Sequence, residues 1–270
     1  MVVVRELIKR LGGGYASELG IELARSRESE VFKWFLASFL YGARISEKVS
    51  TKTYREFAKQ NVSTPRQIQD AGWDGLVRIL DAGGYVRYDF STASKLLLVS
   101  EDLIEHYGGK INAVHAAAED PRDLEDRLQA IGKGIGPVTA NIFLRELRGI
   151  WPKARPLPSE PVILAARHLG LVDKRTTNRH RLLGLLEAAW EKGRVRGCTF
   201  VDFEAGLSGW GVTTAARKGT PLVPWRRGAP RLAEKQTLND IRWRASPGPA
   251  TRTLAPKHGP RQRIGSLVKL

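Results

Sequence analysis

The sequence is poor in cysteine: Cys198 is the only one among 270 residues. A single thiol cannot form a disulfide within the chain, and it cannot supply the thiolate ligands of an iron–sulfur cluster or of a four-cysteine zinc site. Such scarcity is typical of proteins that remain in a reducing compartment. We therefore expect a cytoplasmic protein without these cofactors.

Long apolar runs and strand-like patterns are also missing. The apolar start MVVV gives way at once to Arg5 and Glu6. No segment approaches the length of about 18 apolar residues that a membrane-spanning helix needs. Alternating β-branched residues, which predict strands, are nearly absent. The sequence thus predicts an all-α protein with no membrane partner.

Acidic residues are few relative to basic ones, and the imbalance is uneven along the chain. Lys and Arg number 44 against 28 Asp and Glu, a formal charge of +16. Residues 217–270 carry +11 of this charge and seven of the 14 prolines, and they lose apolar periodicity. We predict a disordered or loosely docked basic tail there. The excess points to a polyanionic partner such as nucleic acid, although a basic tail alone also explains it.

Helical spacing fills the chain from residue 31 to about residue 216. The segment VFKWFLASFLYGARIS is apolar on all sides, which is typical of a buried helix. Local signals for helix ends are numerous. The predicted N-caps are Thr64 before Pro65 and either Ser91 or Thr92, and the predicted C-terminal glycines are Gly83, Gly108 and Gly170.

Three glycines stand within five residues in LQAIGKGIGPVTANIFL, at residues 128–144. We predict a helix over 123–131, a turn, and a second helix that begins at Pro137, where the missing N–H costs nothing. The turn would expose backbone N–H groups beside a helix N-terminus, which suits a DNA phosphate. The alternative is an ordinary helical hairpin with a glycine-rich turn. The predicted DNA-binding residues of this segment are Lys133, Gly134, Ile135, Gly136 and Thr139.

This segment resembles the helix-hairpin-helix of the base-excision DNA glycosylases related to endonuclease III and 3-methyladenine DNA glycosylase II. Three more segments are similar to that superfamily: FKWFLASFLYGARISEKVSTKTYREF, GGYVRYDFSTASKLLLVSEDLIEHYGGKI and EPVILAARHLGL. The resemblance covers residues 31–171. It implies an all-α fold of two helical subdomains, with a central hairpin and a cleft between them.

The resemblance also implies how the chain is divided and what it binds. We expect residues 1–30 to form a helical segment that packs with the C-terminal subdomain, residues 31–216 to form the glycosylase domain with its hairpin at 123–148, and the tail to follow. The implied partner is double-stranded DNA with a damaged base, bound by a monomer associated with the nucleoid. No cofactor is implied beyond a monovalent cation at the hairpin, because the cysteines of the endonuclease III cluster are missing.

Members of this superfamily place a catalytic carboxylate shortly after the second hairpin helix, where it stabilises the positive charge that develops on the sugar. Alignment back from HLGL puts Ser159 at this position, and alignment forward from LPSEPVI puts Glu160 there. We prefer Glu160 as the catalytic residue. The alternative is that Glu160 is an exposed acid in the first turn of a helix, favoured by the helix dipole.

Bifunctional members carry a nucleophilic lysine two residues after the last hairpin glycine, where this chain has Val138. Hydrolysis without lyase activity is therefore the expected chemistry. Arg87 and Tyr88, in the turn GGYVRYDF, are further DNA-binding candidates, since they could meet a phosphate and stack on a base. The alternative is a loop tyrosine packed on the next helix. Asp202 and Glu204 are either base contacts or structural acids.

Three functions follow from these observations. The first is a monofunctional glycosylase that hydrolyses the bond to a damaged base flipped out of the duplex. The second is a catalytically inactive helix-hairpin-helix protein that binds DNA. The third is a protein that binds nucleic acid nonspecifically through its basic tail, with a steep salt dependence.

Overall fold

The computed structural model describes residues 2–216, and these residues form twelve helices and no strand. The all-α prediction is confirmed. The tail predicted for 217–270 lies outside the described residues. The helices are α1 (Val2–Leu11), α2 (Tyr15–Glu18), α3 (Glu28–Tyr41), α4 (Glu47–Lys59), α5 (Pro65–Gly83), α6 (Asp89–Tyr107), α7 (Ile111–Ala117), α8 (Pro121–Ala130), α9 (Pro137–Glu146), α10 (Glu160–His168), α11 (Arg179–Gly193) and α12 (Phe200–Ala216).

A first apolar cluster is built around α3 from side chains of residues 16–154. Trp34 and Leu40 of α3 are fully buried, as the apolar pattern of this segment predicts. The indole N–H of Trp34 donates to the carbonyl of Phe143 at 3.0 Å, and the hydroxyl of Tyr85 donates to the carbonyl of Leu40 at 3.0 Å. These two bonds tie α3 to α9 and to the chain between α5 and α6.

A second apolar cluster joins the two ends of the described chain. Side chains of α1 pack here with those of α10, α11 and α12. Glycines allow close contacts: a Cβ on Gly193 would lie 2.9 Å from Val4, and one on Gly206 would lie 3.2 Å from Leu7. This cluster fixes α10, which carries Glu160 at its first position.

Local signals predicted some helix ends and missed others. Thr64 caps α5 by accepting from the Gln67 N–H, and Gly108 ends α6 in the left-handed region, both as predicted. The predicted N-caps Ser91 and Thr92 are wrong, because α6 begins at Asp89 after Tyr88. The single element α5 also contains a kink at Gly72 (φ 62°, ψ 176°), which joins its two helical parts.

Candidate nucleic-acid interface

The glycine-rich turn lies between α8 and α9, and both helices are anchored in the first cluster. Leu124 and Leu128 of α8 and Phe143 and Leu144 of α9 are fully buried. The ring of Phe143 packs edge-on against Phe35 of α3, with the ring centroids 5.4 Å apart. Because these contacts fix both helices, they present the turn in one orientation.

The three glycines of the turn meet different surroundings. A Cβ on Gly132 would lie 3.0 Å from a methyl group of Val99, and a Cβ on Gly134 would lie 2.8 Å from the ring of Phe39. Gly134 also has a φ of +122°, which L side chains rarely adopt. A Cβ on Gly136 would meet no described atom within 4 Å. Internal packing therefore explains the first two glycines, whereas the backbone of Gly136 stays open to approach from outside.

The N-terminus of α9 presents backbone donors at this open position. Gly136 is the N-cap in extended conformation and supplies no side-chain acceptor, and Pro137 follows it. The first helical bond is that of the Ala140 N–H to the carbonyl of Gly136, at 3.0 Å. The N–H groups of Val138 and Thr139 precede this bond and point out of the end of the helix. The helix dipole favours an anion there.

The other predicted hairpin residues differ in what they can offer to DNA. The side chain of Lys133 is exposed. Ile135 is 4% exposed and Thr139 is 3% exposed. The hydroxyl of Thr139 packs so closely on Gly42 that a Cβ there would lie 2.0 Å from it. The side chains of Ile135 and Thr139 are therefore not exposed to DNA.

The turn also borders a cavity of about 600 Å³ that it shares with α6. Leu98 and Asp102 of α6 line this cavity together with residues 129–130 and 132–136. A Cβ on Gly132 would lie 3.3 Å from a carboxylate oxygen of Asp102. This carboxylate makes the Gly132 side of the turn unfavourable for a phosphate, and so an anion is expected to approach from Gly136.

Carbonyl oxygens of the turn suit the monovalent cation that the resemblance implies. Gly132 accepts the N–H of Ile135 at 3.3 Å, and Gly134 accepts the hydroxyl of Thr139 at 3.5 Å. Each carbonyl oxygen has two lone pairs, so each keeps one for another partner. Oxygen ligands of this kind are those that hard cations prefer.

Arg87 and Tyr88 lie just before α6, at the end away from the hairpin cavity. Tyr88 precedes the first residue of α6 and packs partly against the first cluster. The guanidinium of the exposed Arg87 lies over the ring of Tyr88, 5.4 Å from its centroid. The tyrosine ring is thus half-buried, and Arg87 is the more accessible of the two.

Glu160 is the first residue of α10, and Ser159 is its N-cap without a side-chain bond to the helix. The Glu160 side chain is 74% exposed and forms an ion pair with Arg179, the first residue of α11. A carboxylate at this position is stabilised by the N-terminus of its own helix. The structure therefore places Glu160 on the surface, with one guanidinium beside it.

Two residues that the sequence analysis missed tie the segment before Glu160 to α9 and to the turn that follows α9. Asn141 donates from its amide nitrogen to the carbonyl of Leu157 at 2.7 Å. Arg148 donates to the carbonyl of Pro156. Side-chain bonds to a loop carbonyl leave no periodic pattern in a sequence. These contacts fix the path of the chain from the hairpin to the candidate acid.

Asp202 and Glu204 have structural partners. At the start of α12, the Asp202 carboxylate accepts two hydrogen bonds from Thr199. The backbone N–H of Thr199 donates at 2.6 Å and the hydroxyl of Thr199 donates at 2.8 Å. Glu204 is 1% exposed and forms an ion pair with Arg148 at 2.8 Å. Arg148 thus connects α12 to the loop before α10. Of the two interpretations, base contacts or structural acids, the contacts of both residues match the structural one.

A larger cavity of about 1180 Å³ lies at the other end of α9. Glu146, Arg148, Trp190 and Phe200 are among its lining residues, and of the candidate residues named from the sequence it includes Asp202 alone. Glu146 accepts the backbone N–H groups of Tyr15 and Ala16. Burial raises its pKa above the ordinary range, although Arg145 and these two bonds oppose the shift.

The described part of the chain holds neither a membrane span nor a cluster of metal ligands. Between residues 2 and 216, no helix combines the length and the apolar character needed to cross a membrane. In the same residues, no three His, Cys, Asp or Glu side chains come together as metal ligands would.

Among comparisons with known proteins, the one with solved structures found a match, and it agrees with this architecture. No family model matches the chain, and no curated protein matches it. Among solved structures, it is similar to the crystal structure of the H. pylori 3-methyladenine DNA glycosylase MagIII bound to 1,N6-ethenoadenine. The TM-score is 0.52 at 12% identity, over 81% of this chain and 98% of that chain. The described residues therefore share the all-helical fold of that DNA glycosylase.

Proposed function

We propose that the protein is a monofunctional DNA glycosylase that hydrolyses the N-glycosidic bond of a damaged base. The observation that carries this proposal is the N-terminus of α9, where the N–H groups of Val138 and Thr139 precede the first helical bond and a Cβ on Gly136 would meet no described atom within 4 Å. The fold shared with a DNA glycosylase supports it. We expect a monomer that acts on double-stranded DNA and needs no cofactor for the chemical step.

In this proposal the hairpin holds the DNA backbone. A phosphate oxygen accepts the N–H groups of Val138 and Thr139, and Lys133 adds a positive charge beside them. A cation on the carbonyl oxygens of the turn would strengthen the same contact. Arg87, supported by Tyr88, contacts the duplex next to the extruded base.

The chemistry needs a carboxylate near the sugar, because cleavage of the glycosidic bond builds positive charge on it. Glu160 has this role in the proposal. Asn141 supports it by fixing Leu157 three residues earlier. Val138 carries no amine, so a Schiff base at this position is excluded. Attack by water is therefore the expected reaction.

A second candidate function is favoured by the position of Glu160. Its side chain is 74% exposed and paired with Arg179, whereas a catalytic carboxylate acts best where water is excluded. A protein with this geometry could bind lesions through the hairpin without releasing a base. The two functions differ in whether bound DNA encloses Glu160 against the sugar.

A base-release assay separates the two functions. Duplexes that each carry a single uracil, 8-oxoguanine or alkyladenine would be incubated with the full chain and with Glu160→Gln, and a duplex with an abasic site, which has no base to release, would serve for binding alone. The matched control is Glu187→Gln, which removes another exposed glutamate from an ion pair, here with Arg155. Release by wild type and the control, but not by Glu160→Gln, supports the glycosylase. Lesion-preferring binding without release would favour the second function.

A further inference from the structure

Exposed apolar side chains are concentrated on α5, on α6 and at the start of α9. Among the described residues, seven large hydrophobic side chains are exposed, and Leu11 and Leu185 lie on α1 and α11. The other five lie on α5, α6, the turn between them and the first turn of α9; they are Trp73, Val86, Phe90, Leu98 and Val138. Single exposed apolar residues are normal, whereas a concentration of them marks a binding surface.

Trp73 and Phe90 form a fixed aromatic pair on this surface. They are 39% and 59% exposed, and their ring centroids are 5.2 Å apart. The indole N–H of Trp73 donates to the Ser94 hydroxyl at 3.0 Å, and that hydroxyl donates to the carbonyl of Phe90 at 3.0 Å. Since the rings are already held in one arrangement, a ligand that stacks on them loses little affinity to side-chain ordering.

The aromatic pair is continuous with the hairpin through α6. Lys95 follows Ser94 directly, and its Cδ atom lies 3.3 Å from where a Cβ on Gly134 would be. Leu98, two turns after Phe90, lines the cavity that it shares with the glycine turn. The eight residue steps from Phe90 to Leu98 span about 12 Å of helix. That length corresponds to about three base steps along a DNA strand.

Three cations lie along this surface, namely Arg87 before the aromatic pair, Lys95 after it and Lys133 in the hairpin turn. Its carboxylates are Asp74 beside Trp73 and Asp102 on the Gly132 side of the turn, so an anionic strand would reach the hairpin from the Gly136 side. The open N-terminus of α9 lies at the end of the same surface. Rings interspersed with positive charge suit a nucleic-acid strand, whose bases stack and whose phosphates are anionic.

We propose that Trp73 and Phe90 form a stacking platform for an unpaired DNA base a few nucleotides from the phosphate held at Gly136. This inference rests on the proposed DNA binding by the hairpin, but it does not depend on Glu160 or on base release. The platform gives the protein a preference for DNA that is locally unpaired beside its hairpin contact.

The test compares the full chain with Trp73→Leu/Phe90→Leu, which keeps apolar surface and removes both rings. Binding would be measured to a duplex that contains a stable abasic analogue and is otherwise fully paired. The same duplex would then be given one unpaired nucleotide, placed in turn at each position near the analogue. We expect wild type to prefer the unpaired substrate at one position by about 5- to 150-fold, the value of stacking one base. The double variant loses this preference and keeps its affinity for the paired duplex.

Two controls make the result specific. Trp73→Phe/Phe90→Tyr retains both rings and should retain the preference, and Leu185→Ala removes an exposed apolar side chain on α11 and should change nothing. An oligonucleotide with photoreactive 5-iodouracil at the preferred position should crosslink to Trp73 or Phe90. If wild type and the leucine variant prefer the unpaired substrate equally, the platform is wrong. It is also wrong if the leucine variant changes only the self-association of the protein and not its DNA binding.

Failure of the platform is distinguishable from failure of the proposed function. If Gly136→Ser lowers duplex affinity and the leucine variant has no effect on the preference, the hairpin binds DNA and the platform is wrong. If Gly136→Ser leaves duplex affinity unchanged, hairpin binding is wrong, and the platform fails with it.

Discussion

A glycine can serve packing inside the protein or access from outside, and the hairpin turn contains both kinds. Gly134 combines a left-handed φ with the ring of Phe39 at 2.8 Å from a Cβ, so no other residue fits there without strain. Gly136 has φ −94° and ψ 180°, a conformation open to any residue, and nothing described lies near its missing Cβ. Stability therefore does not require glycine at 136. In the proposed function, close approach of a phosphate to the backbone does.

The substitution Gly136→Ser separates these two demands. Serine is a good N-cap, so thermal stability should stay within a few tenths of a kcal/mol or rise slightly. Its side chain would occupy the anion position and satisfy an N–H of α9, and duplex affinity should fall about ten-fold, equivalent to one charge-assisted hydrogen bond of about 1.4 kcal/mol.

The measurements are thermal unfolding and a duplex titration at one salt concentration. Gly184→Ser on α11 is the matched control, because a Cβ there also meets no described atom within 4 Å. A Gly136→Ser protein that binds the duplex as wild type does would remove the hairpin from the interface.

At the scale of elements, the position of the candidate acid depends on the crossing of α10 and α12. A Cβ on Gly211 of α12 would lie 2.0 Å from the carbonyl oxygen of Pro161 and 2.6 Å from its carbonyl carbon. Both contacts are to backbone, which cannot rotate away. Because Glu160 and Pro161 open α10, this crossing also sets where Glu160 lies.

We therefore expect Gly211→Ala to destabilise the protein by about 1–3 kcal/mol, the usual penalty of overpacking. For a chain of this size the melting temperature should fall by about 2–4 °C for each kcal/mol. Gly209→Ala in the same helix is the control: a Cβ there has nothing within 4 Å, and the better helix propensity of Ala favours folding by up to about 1 kcal/mol. Equal melting temperatures for the two variants would contradict the close crossing.

The same scale shows what the sequence could predict. Pro137, Thr64 and Gly108 act within their own turn of chain, so their roles follow from local sequence. The kink at Gly72 was not predictable, because glycine there fits a kink as well as a break between helices. The pair Arg148–Glu204 joins residues 56 positions apart and leaves no local pattern. For the candidate site, sequence located the hairpin, while the exposure of Glu160 and the aromatic pair required the packed structure.

For the whole molecule, the distribution of charge separates two sources of DNA affinity. Residues 217–270 hold 13 of the 44 Lys and Arg and only two of the 28 Asp and Glu. Residues 1–216 are nearly balanced, with 31 basic and 26 acidic residues. A hairpin contact involves few phosphates, whereas a segment of high positive charge can neutralise many. The two contributions therefore differ in salt dependence.

We expect a chain ending at residue 216 to bind duplex DNA with a shallower salt dependence than the full chain. The slope of log K against log salt changes by about 0.9 for each phosphate that the protein neutralises, so the removal of the basic segment should lower its magnitude by several units. Thermal unfolding of the shortened chain controls for loss of the fold.

Titrations of both chains from low to physiological salt, each with and without Gly136→Ser, give the two contributions separately. If truncation abolishes binding and Gly136→Ser has no effect, nucleic acid is bound through the basic segment alone. If the slopes of the two chains are equal, the segment neutralises no phosphate, and the affinity arises from the helical residues that carry the hairpin.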